Sequence, residues 1–170
     1  MKKTNLLIFL LVISLHLVAQ EKYLSIFPLK DSKVTYSAVL QTSGISKYEL
    51  YNKARIWLAT NCETIKLDDE DIVVGEGVFA FKFNEFFGGY EYFHIRCIIA
   101  IQFKEEQYKY TFSDFRLNYV KFSQGTSDIV DDPIEDLSIF KDHNKRIDLK
   151  IKELIVSLDQ VMKRTIDDNW

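Results

Sequence analysis

Proline, glycine and cysteine are scarce in this chain: its 170 residues include two prolines, six glycines and two cysteines. So few proline and glycine residues argue against a linker-rich chain. In addition, 47% of the residues are hydrophobic, and their burial can offset the entropy lost on ordering, which argues against a disordered chain. Basic residues are not in excess either, with 22 lysines and arginines against 25 acidic residues. This length and balance suit one globular domain.

The N-terminus has the three parts of a secretory signal peptide. Lys2 and Lys3 form a short basic start, residues 6–18 are almost wholly apolar, and the small Ala19 precedes the polar Gln20. The apolar run is shorter than the roughly 20 residues that a membrane-spanning helix needs. We therefore expect an exported protein, located in the periplasm or outside the cell. An uncleaved N-terminal anchor is the alternative.

Removal of the signal peptide changes the charge of the domain that has to fold. Residues 1–20 contain two basic residues and no acidic one, so the net charge goes from −3 for the whole chain to −5 for residues 21–170. An acidic domain repels phosphate backbones, so we expect no nucleic-acid partner. Residues 21–170 should form a single α+β domain with no stable membrane span.

Alternating apolar and polar residues predict an antiparallel sheet. The segments are residues 33–42, 62–67, 72–83, 91–104 and 108–122. The fourth segment has six apolar residues on one face, from Phe93 to Phe103, and a mixed opposite face, which is typical of a sheet covered on one side. In the last segment the apolar face changes parity near Asp114. This change indicates either a bulge or two shorter strands.

Two helices and one loop complete the sequence pattern. Ser46 and Glu49 have the spacing of a capping box, which predicts a first helix over residues 47–60. A long terminal helix is predicted over residues 142–167, because apolar residues recur there at helical spacing. Its stripe consists of Ile147, Ile151, Leu154, Ile155, Leu158, Val161, Met162 and Ile166. Residues 123–136 are rich in Ser, Asp, Gly and Thr, which predicts an exposed loop.

Three segments carry a family resemblance: the early strand at residues 34–36, the helix at residues 48–57 with its Glu-Leu-Tyr and Trp, and the strand at residues 108–115. Through them, residues 27–120 resemble the exported bacterial proteins grouped as domain of unknown function 4468, described as having a TATA-binding-protein-like fold. The resemblance implies a curved antiparallel sheet with helices on one face. The terminal helix matches in position, and no activity is implied.

The motifs of common catalytic and metal sites are absent or incomplete. There is no G-x-S-x-G elbow, no Gly-rich phosphate loop and no Cys/His spacing that suits zinc. His94 lies beside Arg96 on the polar strand face, which favours a surface histidine over a ligand-binding one. The S-x-x-K pattern at Ser138 lacks its partner motifs, and residues 68–71 lack the glycine of a calcium loop. We expect no enzymatic activity, no metal and no cofactor.

The two cysteines leave alternatives open. Export would permit a disulfide between Cys62 and Cys97. Cys97, however, lies on the apolar face of its strand, which favours a buried free thiol. A reactive thiol would need an electropositive setting, which the neighbouring sequence does not indicate.

Aromatic residues are abundant, with 13 phenylalanines and 9 tyrosines. They can fill the space between a sheet and its helices. They can also line a cavity between the sheet and the terminal helix that holds a small hydrophobic ligand. The predicted wall residues of such a cavity are Phe79, Phe81, Phe93, Ile95 and Leu154.

Export without recognisable catalytic machinery favours a non-catalytic binding or interaction module of the bacterial cell envelope. Its expected partner is an envelope protein of unknown identity. The alternative is a carrier of a small hydrophobic ligand.

Overall fold

The structure is a computed structural model that describes residues 26–84, 90–123, 126–136 and 144–164. The predicted signal peptide, the S-x-x-K pattern at Ser138 and both ends of the predicted terminal helix lie outside these ranges. None of the helices within the described ranges is long and apolar enough to cross a membrane.

Eight strands and two helices form an α+β fold in the described residues. The strands are β1 Leu29–Lys30, β2 Lys33–Val34, β3 Tyr36–Gln41, β4 Thr64–Asp69, β5 Ile72–Asn84, β6 Tyr90–Lys104, β7 Gln107–Ser123 and β8 Thr126–Pro133. The helices are α1 Lys47–Asn61 and α2 Asn144–Lys163, and a short 3₁₀ turn covers Ile134–Asp136. The α+β class and the antiparallel sheet with its C-terminal helix agree with the sequence prediction.

Six strands form one antiparallel sheet in the order β3-β7-β6-β5-β4, and β8 pairs with the far end of β7. β5 and β6 form the longest hairpin, in register from Ile72↔Gln102 to Asn84↔Tyr90. β1 and β2 form a separate two-stranded hairpin. Because β3 and β8 both pair with β7, they lie end to end along one side of the sheet.

The first helix begins where the capping signal predicts. The Ser46 side chain accepts a hydrogen bond of 3.2 Å from the backbone N–H of Glu49, which satisfies a donor that the helix itself leaves free. Leu50, Trp57 and Leu58 are buried on the side of α1 that faces the sheet. The capping residue and the apolar stripe thus fix both the start and the orientation of α1.

The terminal helix buries the predicted stripe on the same face of the sheet. Ile147, Ile151, Leu158 and Met162 are each at most 2% exposed, and burying such a side chain contributes about 1.5–3 kcal/mol. Polar contacts fix how α2 sits on its neighbours, since Trp57 of α1 donates a hydrogen bond of 3.0 Å to Oγ of Ser157.

The parity change in β7 is a bulge. Arg96 pairs with Arg116 and Ile98 pairs with Ser113, so two residues of β7 stand opposite one residue of β6. One of the two is Asp114, whose φ of 50° lies in the left-handed region. β7 continues through the bulge as one strand, so the alternative of two separate strands is wrong.

The prediction of an exposed loop over residues 123–136 is also wrong. Most of this segment is strand β8, which pairs with β7 from Ser123↔Thr126 to Arg116↔Pro133. Its polar sequence has no apolar alternation that would predict a strand. The strand is held instead by its pairing with β7 and by the contacts of Asp131. The 3₁₀ turn that follows is anchored by Glu135, whose carboxylate accepts a 2.6 Å hydrogen bond from the Val34 N–H.

Candidate functional site

The five residues predicted to line a ligand cavity belong to the packed interior. Phe79, Phe93, Ile95 and Leu154 are between 1% and 8% exposed and are part of the hydrophobic core, and Phe81 is half-buried against it. Phe79 pairs with Ile95 and Phe81 pairs with Phe93 on the helix-covered face of the β5–β6 hairpin, and Leu154 belongs to the same core. Their role in binding a ligand stays a prediction, since they pack in the core itself.

Both cysteines are free thiols in the structure. Cys97 is 1% exposed within the core, and Cys62 is half-buried after the end of α1. Burial raises the pKa of the Cys62 thiol to about 11 and raises the pKa of Cys97 further, with the nearby Cys62 adding to the effect. Both side chains are therefore protonated at neutral pH and are weak nucleophiles.

The sheet face opposite the helices is the candidate site, and we call it the open face. Its centre is apolar, because the residues that point away from the helices on neighbouring strands include pairs such as Val74↔Ala100 and Leu67↔Val74. We call this the apolar patch, and its members are Leu67, Ile72, Val74, Ile98 and Ala100. Leu67 is 47% exposed, and the others are half-buried.

A line of charged side chains crosses the open face beside the apolar patch, and we call it the ion-pair row. It consists of Lys66, Glu76, Arg96, Asp131 and Arg116, one from each of five strands. Glu76 accepts from Lys66 at 2.8 Å, and Oδ2 of Asp131 accepts from Arg96 at 2.6 Å and from Arg116 at 2.9 Å. The row joins β4 on one side of the sheet to β8 on the other.

Asp131 is the centre of this row. Burial opposes its ionisation, but the hydrogen bonds from Arg116 and Arg96 outweigh that effect and hold the pKa of the carboxyl below its ordinary value. Arg116 also donates to the Asp131 backbone carbonyl at 2.7 Å, and its own pKa is raised by the Asp131 contact. Asp131 is therefore ionised at neutral pH and accepts hydrogen bonds from both guanidinium groups.

A shallow cavity adjoins the apolar patch at the end of β6 and β7. Its volume is about 510 Å³, and its walls include Val39, Gln102, Lys104 and Lys109. This volume lies in the range of small-molecule sites, but the floor is sheet and the rim is polar. The cavity extends the open face and lies apart from the five interior residues of the predicted ligand site.

Among the described residues, no cluster of three or more His, Cys, Asp or Glu side chains could hold a metal ion. His94 is exposed on the open face in the same strand as Arg96, as the strand pattern predicts. What the open face offers is an apolar surface bordered by fixed charges.

Sequence reasoning missed the ion-pair row because its members are far apart in the chain. Lys66 is connected to Asp131 through Glu76 and Arg96 only when strands β4 to β8 are paired in the sheet. In addition, the sequence predicted a loop over residues 123–136, which contain Asp131. The alternating charges Glu76 and Arg96 on the polar faces of their strands were the one available signal, since both point away from the apolar side of the sheet.

Two solved structures are similar to this fold. A TBP-like protein from Parabacteroides distasonis ATCC 8503 superposes with a TM-score of 0.63 at 12% identity, over 83% of this chain and 99% of that chain. A DUF4468 family protein from Bacteroides ovatus ATCC 8483 superposes with a TM-score of 0.58 at 15% identity, over 85% and 94% of the two chains. At such identities the likeness shows the fold alone. No curated protein matches the sequence.

The family model agrees with the structural comparison. Residues 36–118, which run from β3 into β7, match the model described as a domain of unknown function (DUF4468) with TBP-like fold. The matched range contains α1, the β5–β6 hairpin and the whole apolar patch. Residues 36–118 thus match the DUF4468 family model, and the fold is TBP-like, as the sequence resemblance predicts.

Proposed function

We propose that this protein is an exported, non-catalytic binding module of the bacterial cell envelope, and that it binds a partner protein through the open face of its sheet. The observation that carries the proposal is the arrangement of that face. Both helices pack on the other side, and the apolar patch with its ion-pair row points away from them.

The apolar patch has the composition of a protein-binding surface. Contiguous apolar patches on a protein surface often mark interaction sites, and an interface combines an apolar centre with a polar rim. Here Leu67, Val74 and Ala100 lie in a line across three strands, and the ion-pair row borders them. Because sheet pairing fixes these side chains, a partner finds them already ordered, which lowers the entropy cost of binding.

The ion-pair row favours a protein over a nucleic acid as partner. Each of its basic side chains, Lys66, Arg96 and Arg116, already contacts a carboxylate of Glu76 or Asp131. A surface that binds phosphate backbones instead needs uncompensated positive charge. A TBP-like fold does not by itself bring DNA binding, because function depends on the site and not on the fold.

A carrier function is less well supported by the geometry. The residues that would line its cavity, such as Phe93 and Ile95, are 3% and 1% exposed and pack against one another. A ligand between sheet and helix would have to displace them, at the cost of core packing. Export rests on the signal-peptide pattern of residues 1–20.

Affinity capture from native envelopes tests the proposal with matched variants. Leu67→Asp puts a charge into the apolar patch at a position 47% exposed, and Leu149→Asp puts the same charge on α2 at a position 59% exposed. We expect the wild-type protein and Leu149→Asp to retain one partner, and Leu67→Asp to lose it. Equal recovery by both variants, or turnover of a substrate by the purified protein, would contradict the proposal.

A further inference from the structure

The edge of β3 differs from the other strand edges of the sheet. β4 contains Lys66, Asp68 and Asp69 and a register shift, and β8 contains three aspartates and a proline. Charges, proline and bulges are the devices that keep sheet edges from pairing with other chains. β3, with the sequence Tyr-Ser-Ala-Val-Leu-Gln, contains none of them.

Backbone alternation identifies which groups of β3 point outward. The Thr42 N–H donates to the Glu106 carbonyl at 2.8 Å, in register with the β3–β7 pairing. Backbone groups along a strand alternate in direction, so the even-numbered residues face β7 while Ser37, Val39 and Gln41 face outward. Thr35 follows the same alternation, since its N–H donates away from β7 to the Pro28 carbonyl at 2.9 Å.

We propose that β3 pairs with β3 of a second copy of this chain in a symmetric antiparallel dimer. Val39 stands opposite Val39 of the other copy, and Ser37 stands opposite Gln41. This register keeps the helix-covered faces of both sheets on one side, because opposite residues in an antiparallel pair point to the same face. All three outward-facing residues then exchange backbone hydrogen bonds, which a register shifted by two residues would not allow.

The side of α2 above β3 has charges that fit the same two-fold axis. Asp148 and Asp159 accept hydrogen bonds from Tyr36 of β3 and Tyr108 of β7, at 2.7 and 3.0 Å. Lys152 and Lys163 pair with these aspartates at 2.8 and 2.7 Å. The order Asp, Lys, Asp, Lys has spacings of four, seven and four residues.

This spacing is the same in both directions, so reversal of the helix places each lysine where an aspartate stood. In a dimer with its axis at Val39, Asp148 of one copy lies toward Lys163 of the other, and Lys152 lies toward Asp159. A second copy of the chain is therefore complementary in charge as well as in backbone hydrogen bonding. This is why we assign the edge to self-association and not to an unrelated peptide.

The dimer is independent of the proposed function, because it uses the β3 edge and leaves the apolar patch uncovered. It would join the two open faces into one surface and bring the two 510 Å³ cavities together at Val39, which is a wall residue of each. Loss of the dimer and loss of a partner protein are therefore separately measurable.

Sedimentation velocity of the isolated protein, with its N-terminus determined, tests the proposal over about two decades of concentration. We expect a reversible increase to twice the mass of one chain. Val39→Lys places two like charges opposite each other and should raise the dimer dissociation constant at least about tenfold. Leu67→Lys adds the same charge to the β4 edge at a similarly exposed position and should leave the constant unchanged.

Amide hydrogen exchange provides a second measurement that needs no variant. The N–H groups of Ser37, Val39 and Gln41 should become protected as the concentration rises, while those of β4 should not. A monomer at every concentration, or a dimer that Val39→Lys leaves intact, would overturn the proposal. Protection of these three amides in a protein that stays monomeric would also overturn the proposal.

Discussion

The hydroxyl of Tyr36 donates a hydrogen bond of 2.7 Å to Oδ1 of Asp148 and so joins the first strand of the main sheet to its last helix. Asp148 is 8% exposed and its other oxygen accepts from Lys152 at 2.8 Å. A buried carboxylate with two donors is well satisfied, and removal of either donor leaves it short of a partner. This contact therefore links sheet, helix and surface charge.

Tyr36→Phe should destabilise the protein by about 1–2 kcal/mol, because the ring still packs but the Asp148 carboxylate loses a buried donor. Urea denaturation followed by circular dichroism measures the change. Tyr48→Phe is the control, since that ring is 66% exposed and should change the free energy of unfolding by less than about 0.5 kcal/mol. Equal effects of the two substitutions would contradict a structural role for the Tyr36–Asp148 contact.

Stability should also fall at alkaline pH. Burial, followed by hydrogen bonds to Asp148 and Asp159, raises the pKa of Tyr36 and of Tyr108 above the ordinary value of 10.0. Above pH 10 the unfolded chain releases these two protons and the folded chain keeps them, so the folded state loses stability as pH rises. Below pH 10 both states hold the protons and the contribution is fully present.

The double variant Tyr36→Phe with Tyr108→Phe removes both groups from this titration. Its free energy of unfolding, measured from pH 8 to about 11.5, should be lower at pH 8 but should decline less steeply above pH 10 than that of the wild-type protein. Parallel curves over the whole range would mean that neither tyrosine has a raised pKa.

Asp131→Asn should weaken the ion-pair row without unfolding the domain. Arg96 and Arg116 are 36% and 35% exposed, so solvent screens both contacts and the expected loss is about 1 kcal/mol. Because the pKa of Asp131 is lowered in the folded state, its contribution is present above the ordinary value of 3.8 and is lost as pH falls below it.

Denaturation of wild-type and Asp131→Asn proteins between pH 3 and 7 tests this prediction. The difference between their free energies of unfolding should be constant near neutral pH and should become smaller in the acid range. Asp132→Asn is a matched control, because it removes the same charge one position away and leaves the Asp131 contacts in place. A difference that does not change with pH would contradict the assigned role of Asp131.

Gly75→Ala should destabilise the protein because α1 ends directly above this glycine. A Cβ at position 75 would come within 2.7 Å of Sγ of Cys62 and 3.2 Å of Cδ2 of Leu58, and such overpacking costs about 1–3 kcal/mol. Removal of the sulfur by Cys62→Ala should recover part of the loss. A double-mutant cycle in chemical denaturation measures this coupling, and a coupling near zero would contradict the close approach.

The sequence predicted those parts of the fold that depend on local pattern. The cap at Ser46, the buried face of β6 and the apolar stripe of α2 are each encoded within a few neighbouring residues, so alternation or helical spacing is enough to find them. The bulge at Asp114 was detectable for the same reason, since one extra residue reverses the parity of the apolar face.

What the sequence did not predict depends on pairing between distant segments. β8 has a loop-like composition, and the contacts of Asp131 with Arg96 and Arg116 exist only once β6, β7 and β8 are aligned. The requirement for glycine at position 75 was not predictable either, because it arises from the close approach of Cys62 in the folded protein. The β6 pattern predicted a sheet covered on one side, but it did not predict the apolar patch, because the patch residues come from β4, β5 and β6.

Site-specific photocrosslinking in intact cells tests the central claim most directly. A photoreactive residue at position 67, within the apolar patch, is compared with one at position 149, on the exposed side of α2. The account predicts one discrete crosslinked envelope protein from position 67 and none from position 149. No crosslinked protein from position 67, or the same product from both positions, would contradict the open face as the binding surface.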